Sequence, residues 1–171
     1  KTKTPIASCW YAHAHSLGVT GVHAMDAGRG ELQALHALHD SGNLRLRVRA
    51  FMSAGALDEW FDRNLATGDG DDMLRIGGVK FFADGALGSM TAWMIEPFEG
   101  SGDTGLALQP AEDLERDVRR CLEHGLAPAI HAIGVSVGAA SRTRSTKPGG
   151  SVALSAASRT PSRAPTTAGV E

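Results

Sequence analysis

Cysteine occurs only twice in these 171 residues, at Cys9 and Cys121, both in stretches that read as helices. That excludes a disulfide framework and makes a reduced, cytoplasmic setting the expectation. No apolar run approaches the roughly 20 residues of a membrane span, and no signal-peptide pattern opens the chain. The chain begins on Lys1 rather than methionine, as a processed, cut or incomplete chain does. An excess of charge is missing too: a formal −2 favours neither nucleic acid nor an anionic membrane as partner. The glycines at Gly77-Gly78 and Gly85–Gly88 match no phosphate-binding spacing such as G-x-G-x-x-G.

What the chain does have is 42% hydrophobic residues, enough for one domain with a core. Its charge is divided. Residues 1–134 hold 12 Lys+Arg against 18 Asp+Glu, whereas residues 135–171 hold five basic residues and one acid, Glu171. The second part is built from Ser, Thr, Ala, Gly and Pro without one aromatic, and reads as a disordered tail. Its cations are scattered and lack aromatics for base stacking, so nucleic-acid binding is a weak reading.

Before position 134 the pattern is strand then helix, repeated. A helix around Ser8–Leu17 precedes a strand at Val19–Met25. A helix at Gly30–Asp40 follows, with Leu32, Leu35 and Leu38 on one stripe. Leu44–Met52 alternates apolar residues with Arg45, Arg47 and Arg49. Such alternation is unusual in a buried parallel strand, and an edge strand or arginines at a strand mouth account for it better than an anion site. A helical stretch at Ala56–Ala66 leads to the strand that holds Lys80. Gly85–Gly105 is a long glycine-rich loop of the kind that carries function. Pro110–Gly125 has acids in its first turn, His124 in its last and Gly125 just beyond, the marks of a helix. A fourth strand, within Ala127–Ile133, carries His131. Repeated βα units imply an α/β fold with a parallel sheet.

Lys80 and His131 stand out by position. A lysine inside an apolar strand is costly unless its nitrogen is used. Each residue lies near the C-terminal end of its strand, where α/β sheets and barrels place their chemistry. His23 and Asp26, at the end of the first strand, could face the same mouth, although a structural role is the simpler reading. His13 and His15 fall on a helix, where residues two apart diverge and cannot readily share an ion. His36 and His39 read as an exposed helix flank, and His124 as a partner of a helix dipole.

Taken in order, GVTGVHAMD, LRVRAF, RIGGVKFFADGALGS, TAWMIEPFEG and IHAIG resemble the amidohydrolase superfamily. The similarity is to its family-3 branch, which includes N-substituted formamide deformylases, and covers about Ser8 to Gly134. The resemblance implies a (β/α)8 TIM-type barrel, of which about four βα units are present here. It further implies hydrolysis of the C–N bond of a small amide or formamide-type substrate by water activated on a divalent metal, zinc by expectation. Lys80 would be the carboxylated metal-bridging lysine and His131 a second metal ligand, while Asp84 and Gly85 would line the substrate side. The family's His-x-His strand, the aspartate after HAIG (Val135 here), the second late histidine and the catalytic aspartate are missing from the pattern. Met90 stands where many relatives have Arg. The chain alone is therefore expected to be inactive and, through open sheet edges, to self-associate. A competing reading is a non-catalytic open-sheet binding module whose tail is an interaction segment.

The break at Gly134 suggests that a shift of reading frame replaced the true continuation over residues 135–171. Sequencing the gene through the codons for Ile130 to Glu171 should show an alternate frame that continues as a barrel. A single intact frame with uniform codon usage would sink that idea.

Overall fold

A computed structural model describes residues 4–134; the expected tail and its change of frame, at 135–171, lie outside the described residues. The elements are α1 (Thr4–Ser16), β1 (Gly21–Ala27), α2 (Arg29–Asp40), β2 (Arg47–Ser53), a 3-10 turn (Ala54–Ala56), α3 (Leu57–Asp62), β3 (Leu74–Phe82), α4 (Ala111–Glu123) and β4 (Pro128–His131). The four strands are parallel and lie in the order β1-β2-β3-β4. A doubly wound sheet would reverse direction part-way; a strictly sequential parallel order is that of a barrel wall.

One face of the sheet holds the core. Val48, Ala50 and Met52 of β2 join Leu74, Ile76, Val79 and Phe81 of β3 in one cluster with Leu32, Leu35 and Leu38 of α2, Trp60 of α3, and Val118 and Cys121 of α4. Trp60 is fully buried, and its indole N–H donates to the Ser53 carbonyl at 2.8 Å. Burying side chains of this size stabilises by about 1.5–3 kcal/mol each. The helices form because their apolar residues fall on one stripe while their ends are closed locally. In α2, Ser41 Oγ donates back to the Ala37 carbonyl at 2.8 Å, and Gly42 takes the left-handed turn. In α4, Glu112 and Asp113 sit in the first turn and Arg120 in the last, as the helix dipole favours.

The other face, with His23, Arg47, Arg49, Phe51, Lys80 and Phe82, has no layer upon it among the described residues. This corrects the edge-strand reading of the arginines. β2 is hydrogen-bonded on both sides, and its alternation arises because one of its faces is open. The helix foreseen at Ala56–Ala66 is also shorter: α3 ends at Asp62, and Asn64 is in the left-handed region.

Two bulges set the phase of this face. Opposite Phe51, β3 spends two residues where β2 spends one, so Ala50 pairs with Ile76 but Phe51 with Gly78. Before the bulge Leu74 and Ile76 face the core; after it Val79 and Phe81 do, which turns Lys80 and Phe82 outward. β1 has its own irregularity at the same level, between Ala24 and Ala27, with Asp26 at φ 62.

The minor histidines have structural partners. His39 Nε2 lies 2.8 Å from Asp71 Oδ2, and His124 Nδ1 lies 2.8 Å from the Arg120 carbonyl. His13, His15 and His36 are exposed. Cys121 is buried, and that burial pushes its thiol up to about 11, so it is inert at neutral pH.

Gly78 has φ 138, and a Cβ there would lie 2.0 Å from the Ala127 carbonyl oxygen. Gly78→Ala should therefore lower stability by about 2–3 kcal/mol, read as a reduced urea midpoint. A midpoint unchanged from the parent would show that the bulge is not needed.

Candidate metal site

Lys80 and His131 come to the open face from adjacent strands. Lys80 pairs with Ala129 and Phe82 with His131. The two candidate ligands are thus one diagonal apart, about 8 Å between Cα atoms from strand spacing and rise. Phe82 lies against both: Lys80 Nζ is 4.7 Å from its ring centre, and the His131 ring is 5.5 Å away, tilted by 45°. Burial has the largest influence on the Lys80 amine and draws its pKa below the ordinary lysine value, while the Asp26 carboxylate works against that shift. Phe82 is the member of the site that motif reading overlooked. Its signal was available, since residue i+2 on a strand shares the face of residue i.

His131 is oriented by the loop that follows β3. Its Nε2 lies 2.9 Å from the Gly85 carbonyl oxygen. A carbonyl only accepts, so Nε2 carries a proton, and in the neutral ring Nδ1 then has the lone pair that can ligate. Fixing one ring nitrogen on a backbone carbonyl while the other is free to ligate is how metal-binding histidines are commonly held. Gly85 contributes only its backbone here. A Cβ at that position would lie 2.1 Å from Thr91 Oγ1, because the loop returns close to its own start.

Asp84 has a different place from the substrate-side one expected of it. It is fully buried and accepts three backbone N–H groups: Trp93 at 3.0 Å, Ile133 at 2.9 Å and Gly134 at 2.6 Å. Its carboxylate has no surface to offer a substrate; it ties the loop after β3 to the chain just beyond His131. Burial alone would raise its pKa, but the three donors and the neighbouring His131 outweigh it and hold the carboxyl below the usual aspartate value. The loop itself is ordered by its own backbone bonds, among them Met94 N–H to the Thr104 carbonyl at 2.8 Å and Leu108 N–H to the Ala83 carbonyl at 3.0 Å.

Among the described residues, no three His, Cys, Asp or Glu side chains come together as a metal cage. Lys80 and His131 fit two positions of a metal's ligand set, the lysine only if its nitrogen is converted into an anionic oxygen donor. Further ligands would have to come from outside the described residues. No helix among the described residues is long and apolar enough to cross a membrane.

Asp84→Asn would leave buried N–H donors facing an amide, and should cost about 3 kcal/mol. Because the folded-state pKa of Asp84 is depressed, its contribution is fully present above the unfolded value of about 4 and is lost as pH falls through the folded one. The variant's stability should accordingly fall less steeply in acid than the parent's, and its loop at 85–105 should be cut faster by protease. Identical acid profiles would remove Asp84 from this role.

Comparison with known proteins bears on the whole arrangement. The model of the amidohydrolase family Amidohydro_3 matches residues 7–144, a span that runs past Gly134. "Putative amidohydrolase YtcJ" of Bacillus subtilis (strain 168) is 31% identical over 135 residues, covering 75% of this chain and 24% of its own length. Two crystal structures of uncharacterized metal-dependent hydrolases are similar. The one from Pyrococcus furiosus is 34% identical with a TM-score of 0.72, covering 78% of this chain and 29% of the other. The one from Pyrococcus horikoshii OT3 is 32% identical with a TM-score of 0.71, covering 77% and 27%. The chain thus spans about a quarter of the length of these relatives. With its sequential parallel strands, its open inner face and its paired lysine and histidine at the strand ends, the chain belongs to the amidohydrolase family.

Proposed function

We propose that this chain forms part of the active site of a metal-dependent hydrolase that cleaves the C–N bond of a small amide or formamide-type substrate. The observation that carries the reading is the placement of Lys80 and His131 on one open face at the C-terminal ends of neighbouring parallel strands. The names of the relatives, an amidohydrolase and two metal-dependent hydrolases, support it.

The chain's own residues would act as follows. Partial burial favours a neutral Lys80 amine, which can add carbon dioxide and release a proton to form a carbamate. That step replaces a cation with an anionic oxygen donor, which a hard or borderline divalent ion accepts. Carbamate oxygens on Lys80 and Nδ1 of His131 would hold the metal, and zinc suits this mixed oxygen and nitrogen set. When bound, such an ion polarises a carbonyl and acidifies water. Gly85 holds the His131 ring through its carbonyl, and Asp84 holds the backbone on which both depend.

Two ligands bind a metal weakly. The purified chain should retain zinc substoichiometrically after dialysis and should not turn over an N-formyl amide. Tight one-to-one zinc with turnover would show that the site is complete without further segments. With isotope-labelled bicarbonate, NMR should detect a carbamate carbon that Lys80→Arg removes. A carbamate signal retained in the variant, or none in the parent at any bicarbonate concentration, would overturn the assignment to Lys80.

A further inference from the structure

The open face carries a second cluster at the opposite, N-terminal end of its strands. Strand register sets His23 of β1 beside Arg49 of β2, and Arg49 beside Arg75 of β3. One step lower, Gly21 stands beside Arg47, and a Cβ at Gly21 would lie 3.8 Å from Arg47 Nε. These residues, with Asp71 and Asp72, line an open cavity of about 360 Å³. Arg75 and Lys80 are five residues apart on β3, so the cluster lies roughly 15 Å from the candidate metal site.

Like charges set side by side on a sheet repel unless something of opposite sign sits among them. The carboxylates at hand are already engaged. Asp71 accepts the backbone N–H groups of Met73 and Leu74 and pairs with His39. Asp72 faces Arg75 at 3.3 Å. Among the described residues the Arg47 side chain donates only to the Thr20 hydroxyl, at 3.2 Å, and the Arg49 side chain has neither a hydrogen bond nor an ion pair. The stem of the exposed Arg49 lies over Gly77, where a Cβ would come within 2.7 Å of Arg49 Cγ. An arginine fork with no counter-charge among the described residues, beside two more and a histidine, can receive an oxyanion.

We propose that Arg49, with Arg47, Arg75 and His23, forms an oxyanion seat on the inner face of the sheet, distinct from the Lys80–His131 site. The chemistry it recognises is a compact phosphate or carboxylate group.

The test uses the chain as it stands. Sodium phosphate and sodium acetate are titrated separately, with sodium chloride at equal ionic strength as reference, while NMR follows the amides of Gly21 and Val48. Phosphate should give saturable shifts that chloride does not. Saturation by acetate as well assigns carboxylate groups to the seat, and saturation by phosphate alone assigns phosphate. Arg49→Gln should weaken half-saturation about tenfold. Arg45→Gln, an exposed arginine outside the cavity, and Lys80→Met should leave it unchanged. If Arg49→Gln fails to fold, Arg47→Gln takes its place with the same expected loss. Shifts no larger than those of chloride, or equal binding by the Arg49 and Arg45 variants, would overturn the proposal.

Discussion

A strand that buries one face can offer a lysine to the other only when its side-chain phase permits, and here the phase is reset part-way along. Leu74 and Ile76 face the helices; had β3 continued in that register, Lys80 would have followed them into a core filled by Met52 and Trp60. An uncompensated ammonium there would cost several kcal/mol. One additional residue at Gly77-Gly78 prevents this by exchanging the faces. Glycine is required at Gly78, which has a positive φ and no room beside the Ala127 backbone, and at Gly77 a Cβ would press on the Arg49 and Phe51 side chains. The bulge therefore determines which side of the sheet Lys80 occupies.

His131 depends on a different device. β4 is short and lies at the edge of the described sheet, so hydrogen bonding to β3 alone gives its last residue little rigidity. The Asp84 carboxylate adds it, by binding the backbone immediately after His131 and the loop residue Trp93 together. A buried carboxylate with three backbone donors is stable in its charged form, and each donor is itself kept from being orphaned. Lysine, histidine and loop are thereby held as one unit.

The open face is not uniform along its length. Near the C-terminal strand ends it carries Lys80, Phe82 and His131; near the N-terminal ends it carries a row of arginines and His23. In a closed barrel the first belongs to the mouth and the second to the inner floor. The helix-facing side needs neither, and it is apolar throughout.

The order of elements, the parallel sheet and the placing of Lys80 and His131 near the ends of their strands were legible in the sequence, because each rests on local rules. Apolar periodicity marks strands and helices, and a lysine between Val79 and Phe81 marks a candidate position. The family was legible for the same reason, as a run of motifs in fixed order. Three features depended on the tertiary structure. Whether β2 lay at an edge could not be read from its alternation, since an open inner face and an open edge produce the same pattern. The family resemblance implies that Asp84 lies on the substrate side, yet its oxygens are occupied by the backbone N–H groups of Trp93, Ile133 and Gly134. The side that Lys80 faces was undetermined as well, because a bulge changes strand phase through pairing with β2, and pairing between strands is a property of the folded chain rather than of either strand's residues.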